Sequence, residues 1–410
     1  MVVQRGLLPA CHRDFRVQTS ENPGAKETAL DKISLGSWGS AFLTRPPRPV
    51  GLDRTSPRCK RRQMQLLPWS ALSLLTIASA FAASALAVGV AGTAMTSTAD
   101  RLADLTGLGE AIFGAVLLGS ATSIAGITTS VTAAVDGRAP LAISNAIGGI
   151  AAQTVFLAVA DIAYRPANLE HAAASVENLL QGALLSTILS IPLLGMAGPR
   201  MDLFGIHPFS PVMIGAYLFG LHLVAEARSE PYWMPRQTAK TEDDDPDAPR
   251  DTERSLAVLW GRFLALTVVV GTAGYVIAKT GGQIATRTGL SGTVVGGLLT
   301  AISTSLPELV TAIAAVRRGA LSLAVGGIIG GNSFDVLFVA FSDAGYRTGS
   351  IYHAITDQQV FIIALTLLLT GVLLMGLLRR ERWGIWGIGF ESFLVLVLYF
   401  GAFTLLLAGG

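Results

Sequence analysis

The chain has 410 residues, of which 51% are hydrophobic and only 14% charged, with a mean hydropathy of +0.54 and 45 glycines. A soluble domain carries about 25% charged residues, so this composition excludes an ordinary soluble enzyme, a disordered chain and a secreted disulfide scaffold, and it points to a polytopic helical membrane protein. The net charge of +2 is unevenly spread: residues 1–66 hold 12 Lys and Arg against 5 Asp and Glu, a basic excess confined to a tail, which argues against a nucleic-acid partner.

Residues 1–66 contain no sustained apolar run and are rich in Arg, Pro, Ser and Gly. They read as a disordered tail or a mis-assigned start, with Met64 as the candidate initiator. Lys60-Arg61-Arg62 ahead of an apolar stretch also resembles a signal peptide, but the run extends to about residue 94, long for such a segment. The only cysteines, Cys11 and Cys59, lie in this tail, so the hydrophobic part can build no disulfide, thiolate metal site or cysteine nucleophile.

Ten apolar spans follow, at about 69–94, 109–135, 140–163, 179–198, 208–226, 256–278, 291–316, 320–345, 358–378 and 385–408. Each is near or above the roughly 20 residues that cross a bilayer as a helix. The long connection at 228–254, with its Glu242-Asp243-Asp244-Asp245 run, reads as a solvated linker between half 1 (67–227) and half 2 (255–410).

The two halves look alike. Sliding the chain by 182 residues lays Leu108–Arg165 on Leu290–Arg347 without a gap, and aligns Thr122-Ser123 with Thr304-Ser305, Gly148-Gly149 with Gly330-Gly331, Asp161 with Asp343 and Tyr164-Arg165 with Tyr346-Arg347. Bias toward Ala, Gly and Leu would not align those polar residues in one frame. An odd number of spans per copy sends the second copy into the membrane from the opposite side, the inverted-repeat plan of secondary transporters, whose sites lie near the midplane. Lys and Arg favour one set of connections by twelve to five once the tail is set aside, which makes that side, with the 228–254 linker, cytoplasmic.

The residues that can carry chemistry cluster in spans 7 and 8. In Thr304-Ser305-Leu306-Pro307-Glu308, the proline removes a helix hydrogen bond and a carboxylate follows at once inside an apolar span. An intramembrane carboxylate costs several kcal/mol and faces a cavity, an ion or a partner. In Gly330-Gly331-Asn332-Ser333-Phe334-Asp335, Asn332 and Asp335 share a helix face. In the first segment, hydroxyls, the carbonyl freed by the proline and a carboxylate within one turn form a hard oxygen set suited to Na⁺ or Ca²⁺ and not to a soft metal.

These segments, with Arg317-Arg318-Gly319 between them, closely resemble the second alpha-repeat of the calcium/cation antiporter superfamily, the sodium/calcium exchanger membrane domain. The resemblance implies an all-α membrane protein of ten helices in two inverted five-helix repeats. It implies secondary antiport by alternating access, with Ca²⁺ exchanged for Na⁺ or H⁺. The implied cation-binding residues are Glu308, Asp335, Ser305, Thr304, Ser123, Thr122, Asn332 and Gln153, with Glu308 and Asp335 carrying the charge at the metal. The partners are then inorganic cations and the lipid bilayer of a bacterial inner membrane, with no cofactor and no enzymatic reaction; the oligomeric state is left open.

The first repeat departs from the pattern. Ala125-Gly126 stands where Pro307-Glu308 stands in the second, Ile150 matches Asn332, and Gln153 matches Asp335. An acid is missing at Gly126, a less broken helix is expected in span 2, and Asn145 is a weak candidate for a replacement ligand. The degeneracy keeps open a non-transporting or monovalent-selective protein derived from an exchanger. Elsewhere, Asp161 and Asp343 are expected to form an interfacial ion pair or helix cap, His207 and His222 to pack, Glu226 to lie at the interface and Glu391 to face a neighbouring helix.

Overall fold

The computed structural model describes residues 69–106, 112–163, 169–229, 256–317, 321–380 and 389–409. Glu110, Tyr164-Arg165, the tail 1–66 and nearly all of the 228–254 linker fall outside the described residues. The described part is all-α apart from one isolated bridge between Leu203 and Ile206. That follows from the solvent: a segment in lipid has no water to satisfy its amides and carbonyls, so it must bond them within itself.

In chain order the helices are α1 (Leu74–Thr106), α2 (Ile112–Val135), α3 (Ala139–Ala163), a single turn α4 (Leu169–Ala172), α5 (Val176–Ala197), α6 (Phe209–Ser229) and α7 (Leu256–Thr288). Then come α8 (Gly292–Val294), which runs through a π-helical turn at Val295–Thr300 into α9 (Ala301–Thr304), and α10 (Leu306–Arg317), α11 (Leu321–Asp335), α12 (Leu337–Gly345), a 3₁₀ turn at Ile351–His353, α13 (Asp357–Arg379) and α14 (Phe390–Ala408). Among the described residues eight helices, with α11 and α12 counted as one, are long and apolar enough to cross a membrane, and the α8–α9 and α10 pair, bent by 48°, makes a ninth if taken as one span. Helix α2 stands where the remaining expected span lies, with a described apolar stretch at Ala121–Val135.

The helix bounds repeat at the interval read from the sequence. Moving α1 by 182 residues gives the bounds of α7; moving α3 gives the start of α11 and the end of α12; the last residue of α2 becomes the last of α10. The packing repeats as well: α1 lies on α7, α5 on α6 as α13 on α14, and α5 on α11 as α13 on α3.

Two apolar cores result. The larger joins α3, α5, α11, α12, α13 and α14 and takes in Ile147, Ile150, Leu189, Ile329, Phe338, Leu369 and Tyr399. The smaller is made by α1, α7 and one face of α2, through Val88, Met95, Leu102, Ala125, Phe263, Val270 and Ile277. The outer faces of α1 and α7 remain exposed, with Leu86, Val90 and Val268 turned outward as lipid-facing residues. Small residues let the backbones approach: a Cβ on Gly148 would sit 2.5 Å from the Cα of Gly297, and one on Gly274 would sit 2.6 Å from the Ala125 carbonyl oxygen. Lys279 of α7 pairs with Asp136, just after α2, at 2.7 Å.

Candidate cation site

Glu308 stands beside a helix break, whereas Asp335 precedes a loosened turn at Val336 inside a span that stays helical from Ala324 to Gly345. Helix α9 stops at Thr304, Ser305 leaves helical geometry (φ −99°, ψ 11°), and α10 restarts at Leu306. Pro307 has no N–H to carry the ladder across this joint. Glu308 falls in the first turn of α10, where unpaired amides and the helix dipole favour negative charge. Helix α11 ends at Asp335 itself, and α12 begins two residues on. The matching stretches of half 1 are continuous: α2 passes through Ala125-Gly126, and α3 through Gln153, without interruption. The less broken span 2 expected from Ala125 is what the structure shows.

The halves meet at these residues. The Gln153 amide donates to Asp335 Oδ2 at 2.6 Å, and these two positions are each other's counterparts under the 182-residue shift. This contact joins the two copies at matching positions. On either side of it stand two bonds that are also counterparts: Ser123 donates to Asp335 Oδ1 at 2.5 Å, and Gln153 donates to Ser305 Oγ at 3.2 Å. Thr122 bonds the Glu308 carboxyl, and Glu308 and Asp335 lie close enough to interact electrostatically. All of these side chains except the half-buried Thr122 are buried.

Several polar atoms here have no protein partner: Glu308 Oε2, Gln153 Oε1, and both Oδ1 and Nδ2 of the fully buried Asn332. Orphaned buried polar atoms are rare and each one calls for a reason. Among the described residues no group of three or more His, Cys, Asp or Glu side chains converges, so a cation at this seam would have two carboxylates and otherwise neutral oxygens.

The structure thus joins Glu308, Asp335, Ser305, Ser123, Thr122 and Gln153. Thr304 is buried, but its hydroxyl bonds the Ala301 carbonyl of its own helix at 3.2 Å. Asn332 is buried without any hydrogen bond to the group. Asn145 does not serve as a spare ligand, because its polar atoms are taken: Nδ2 donates to the Gly126 carbonyl and to Ser130 Oγ, and Oδ1 accepts from Thr300 at 2.6 Å. Tyr217 of α6 was not singled out in the sequence; it lies near enough to Asp335 to sense its charge and packs edge-on to Phe334.

Asp161 and Asp343 are caps, with no ion pair to either among the described residues, and each caps across the halves. Asp161 accepts from the Leu169 amide at 2.7 Å and from the Gly389 amide at 2.9 Å, with the Ser392 hydroxyl as a further partner. Asp343 accepts from the Ile351 amide at 3.4 Å and from the His207 amide and the Ser210 hydroxyl at 2.7 Å each. Under the 182-residue shift these partner sets coincide: Leu169 becomes Ile351, His207 becomes Gly389 and Ser210 becomes Ser392. The histidines follow suit, His171 bonding the Arg380 carbonyl at 2.7 Å and His353 the Gly198 carbonyl at 3.2 Å. Ser210 gives its only proton to Asp343, so Tyr352 must donate in their 2.9 Å bond; burial pushes the Tyr352 phenol up, which keeps that proton in place. Of the other residues noted, His207 packs against Phe209 and Tyr352, Glu391 is buried near Arg379 at 3.8 Å, and His222 and Glu226 are exposed.

Comparison with known proteins agrees with this architecture. The sodium/calcium exchanger protein family matches residues 76–224 and 258–408, one stretch in each half. CaxA of Alkalimonas amylolytica is 26% identical over 274 residues, which cover 66% of this chain and 81% of CaxA. The solved structure of native YfkE covers 80% of this chain and 91% of its own, at 14% identity and a TM-score of 0.52. A structure of the sodium-calcium exchanger NCX_Mj covers 81% of this chain and 99% of its own, at 17% identity and a TM-score of 0.51. With both halves matched and the fold shared, the chain is an integral membrane protein that belongs to the sodium/calcium exchanger protein family.

Proposed function

We propose that this protein is a secondary active cation antiporter that exchanges Ca²⁺ for Na⁺ or H⁺ by alternating access. The observation that carries the reading is the seam: two carboxylates from half 2, hydroxyls and an amide from half 1, and the unpaired oxygens Glu308 Oε2 and Gln153 Oε1, all but the half-buried Thr122 buried where the repeats meet. Such unpaired oxygens suit a dehydrated hard cation. Glu308, Asp335, Ser305, Ser123, Thr122 and Gln153 would hold it, and the returning Na⁺ or H⁺ would use the same oxygens. Family membership supports the cargo class.

Five crossings in each of the halves 67–227 and 255–410 would turn the second copy upside down, so that the acids stand at the midplane with access from either face in turn. The separate small core of α1 and α7 supports a moving pair: these helices pack on each other and on α2 more than on the larger core. In a bacterial inner membrane the side rich in Lys and Arg, with the 228–254 connection, would face the cytoplasm.

The test is ⁴⁵Ca²⁺ uptake into proteoliposomes of the purified chain. An outward Na⁺ or H⁺ gradient is expected to drive uptake, and Glu308→Gln, which leaves size and the first-turn position unchanged, is expected to abolish it. Ca²⁺ flux that ignores both gradients would refute antiport.

A further inference from the structure

The two halves do not contribute equally to the seam, and the difference is built in sterically. The counterpart of Glu308 is Gly126, and the space its side chain would enter is occupied. A Cβ placed on Gly126 would lie 2.5 Å from Cε2 and 3.1 Å from Cζ of Phe338. That ring has little room to move: Phe338 is 3% exposed, and it meets Phe334 edge-on at 6.3 Å, which in turn meets Tyr217 at 5.8 Å. The backbone of residue 126 is equally fixed. Its carbonyl accepts from Asn145, and the preceding residue is pressed against Gly274 of α7. The half-site that the repeat would build opposite Glu308 is therefore filled by an aromatic ring, and among the described residues the acids at the seam are Glu308 and Asp335.

We propose that the Gly126–Phe338 contact fixes the cargo at two positive charges, one divalent cation or two monovalent ones, so that the exchange is electroneutral. This deepens the antiport reading and rests on it. A buried site is occupied when its charge is matched, because an unbalanced charge in a low-dielectric seam is costly. Two carboxylates match one Ca²⁺ on one stroke and two Na⁺ or two H⁺ on the other. A third monovalent ion would need both a third carboxylate and the volume that Phe338 fills. Phe338 is on this account a specificity-determining residue that touches no ion.

The test combines equilibrium ⁴⁵Ca²⁺ binding to the detergent-purified chain with Na⁺- or H⁺-driven ⁴⁵Ca²⁺ accumulation in proteoliposomes whose potential is set at 0 or 100 mV with K⁺ and valinomycin. One Ca²⁺ per chain and the same plateau at both potentials are expected. Movement of one net charge would shift the plateau roughly fifty-fold per 100 mV; such a shift, or a second Ca²⁺ bound, overturns the proposal. Binding of one Ca²⁺ without gradient-driven uptake would refute antiport while leaving the single-cargo site standing, and no Ca²⁺ binding at all would refute both. The double variant Gly126→Glu with Phe338→Ala is expected to make the plateau potential-dependent, whereas Gly126→Glu alone is not; the two variants behaving alike would show that the ring is no barrier.

Discussion

Replacing Asp161 by Asn tests the crossed caps quantitatively. Both Asp161 oxygens accept from backbone amides, Leu169 on one side and Gly389 on the other, with the Ser392 hydroxyl as a third partner. An asparagine has a single acceptor oxygen, so its NH₂ must face one of the two N–H groups. Leu169 is 1% exposed, so an amide that lost its acceptor there would be left buried. Orphaning one buried amide costs about 1–3 kcal/mol, and losing the charge weakens the retained bond by about 1 kcal/mol, giving roughly 3 kcal/mol in total. At about 1.4 kcal/mol per factor of ten, that lowers the folded-to-unfolded ratio more than a hundredfold. Asp343→Asn should cost less, about 1–2 kcal/mol, because its oxygen can keep the two 2.7 Å partners and the NH₂ can face the 3.4 Å contact with Ile351. Unfolding of the purified variants in mixed micelles titrated with SDS, followed by circular dichroism, reads both numbers. An Asp161→Asn protein within about 0.5 kcal/mol of wild type, or an Asp343→Asn protein that is the less stable of the two, would contradict the cap assignment.

Two further substitutions probe the packing around the seam. Thr300→Val keeps the shape of the side chain but leaves Asn145 Oδ1 without its 2.6 Å donor, and the same SDS titration should show a loss of about 1–3 kcal/mol. Gly274→Val would push a methyl-bearing carbon into the Ala125 carbonyl and should destabilise the chain by about 2 kcal/mol or more. Gly261→Val on the same helix, where a Cβ meets nothing within 4 Å, should be nearly neutral; equal effects at both positions would show that α7 does not depend on close approach to α2.

Much of this was legible in the sequence, for local reasons. Apolar runs of twenty residues have one stable form in lipid, so fold class and most helix bounds follow from hydropathy. Thr122-Ser123 and Thr304-Ser305, and the aspartates 161 and 343, are short-range patterns that survive duplication, so the repeat was visible without coordinates. Pro307 next to Glu308 announced the break at Ser305, and Ala125 announced the continuity of α2.

The rest depends on which surfaces meet. Gln153 and Asp335 can be paired by the shift, but only folding shows that they touch. Asp161 and Asp343 looked alike in the sequence, yet nothing there says that each reaches into the opposite half, because Gly389 lies 228 residues from Asp161. Asn145 looked like an available carbonyl until its partners on α2 and at Thr300 were seen to occupy it. A glycine at 126 reads as a missing acid; that its place is filled by Phe338, more than two hundred residues away, is a statement about volume. Hydropathy and repeat patterns are properties of neighbouring residues along the chain and can be read there, whereas volume, hydrogen-bond satisfaction and charge balance belong to the three-dimensional packing and are settled only when the two halves close on each other.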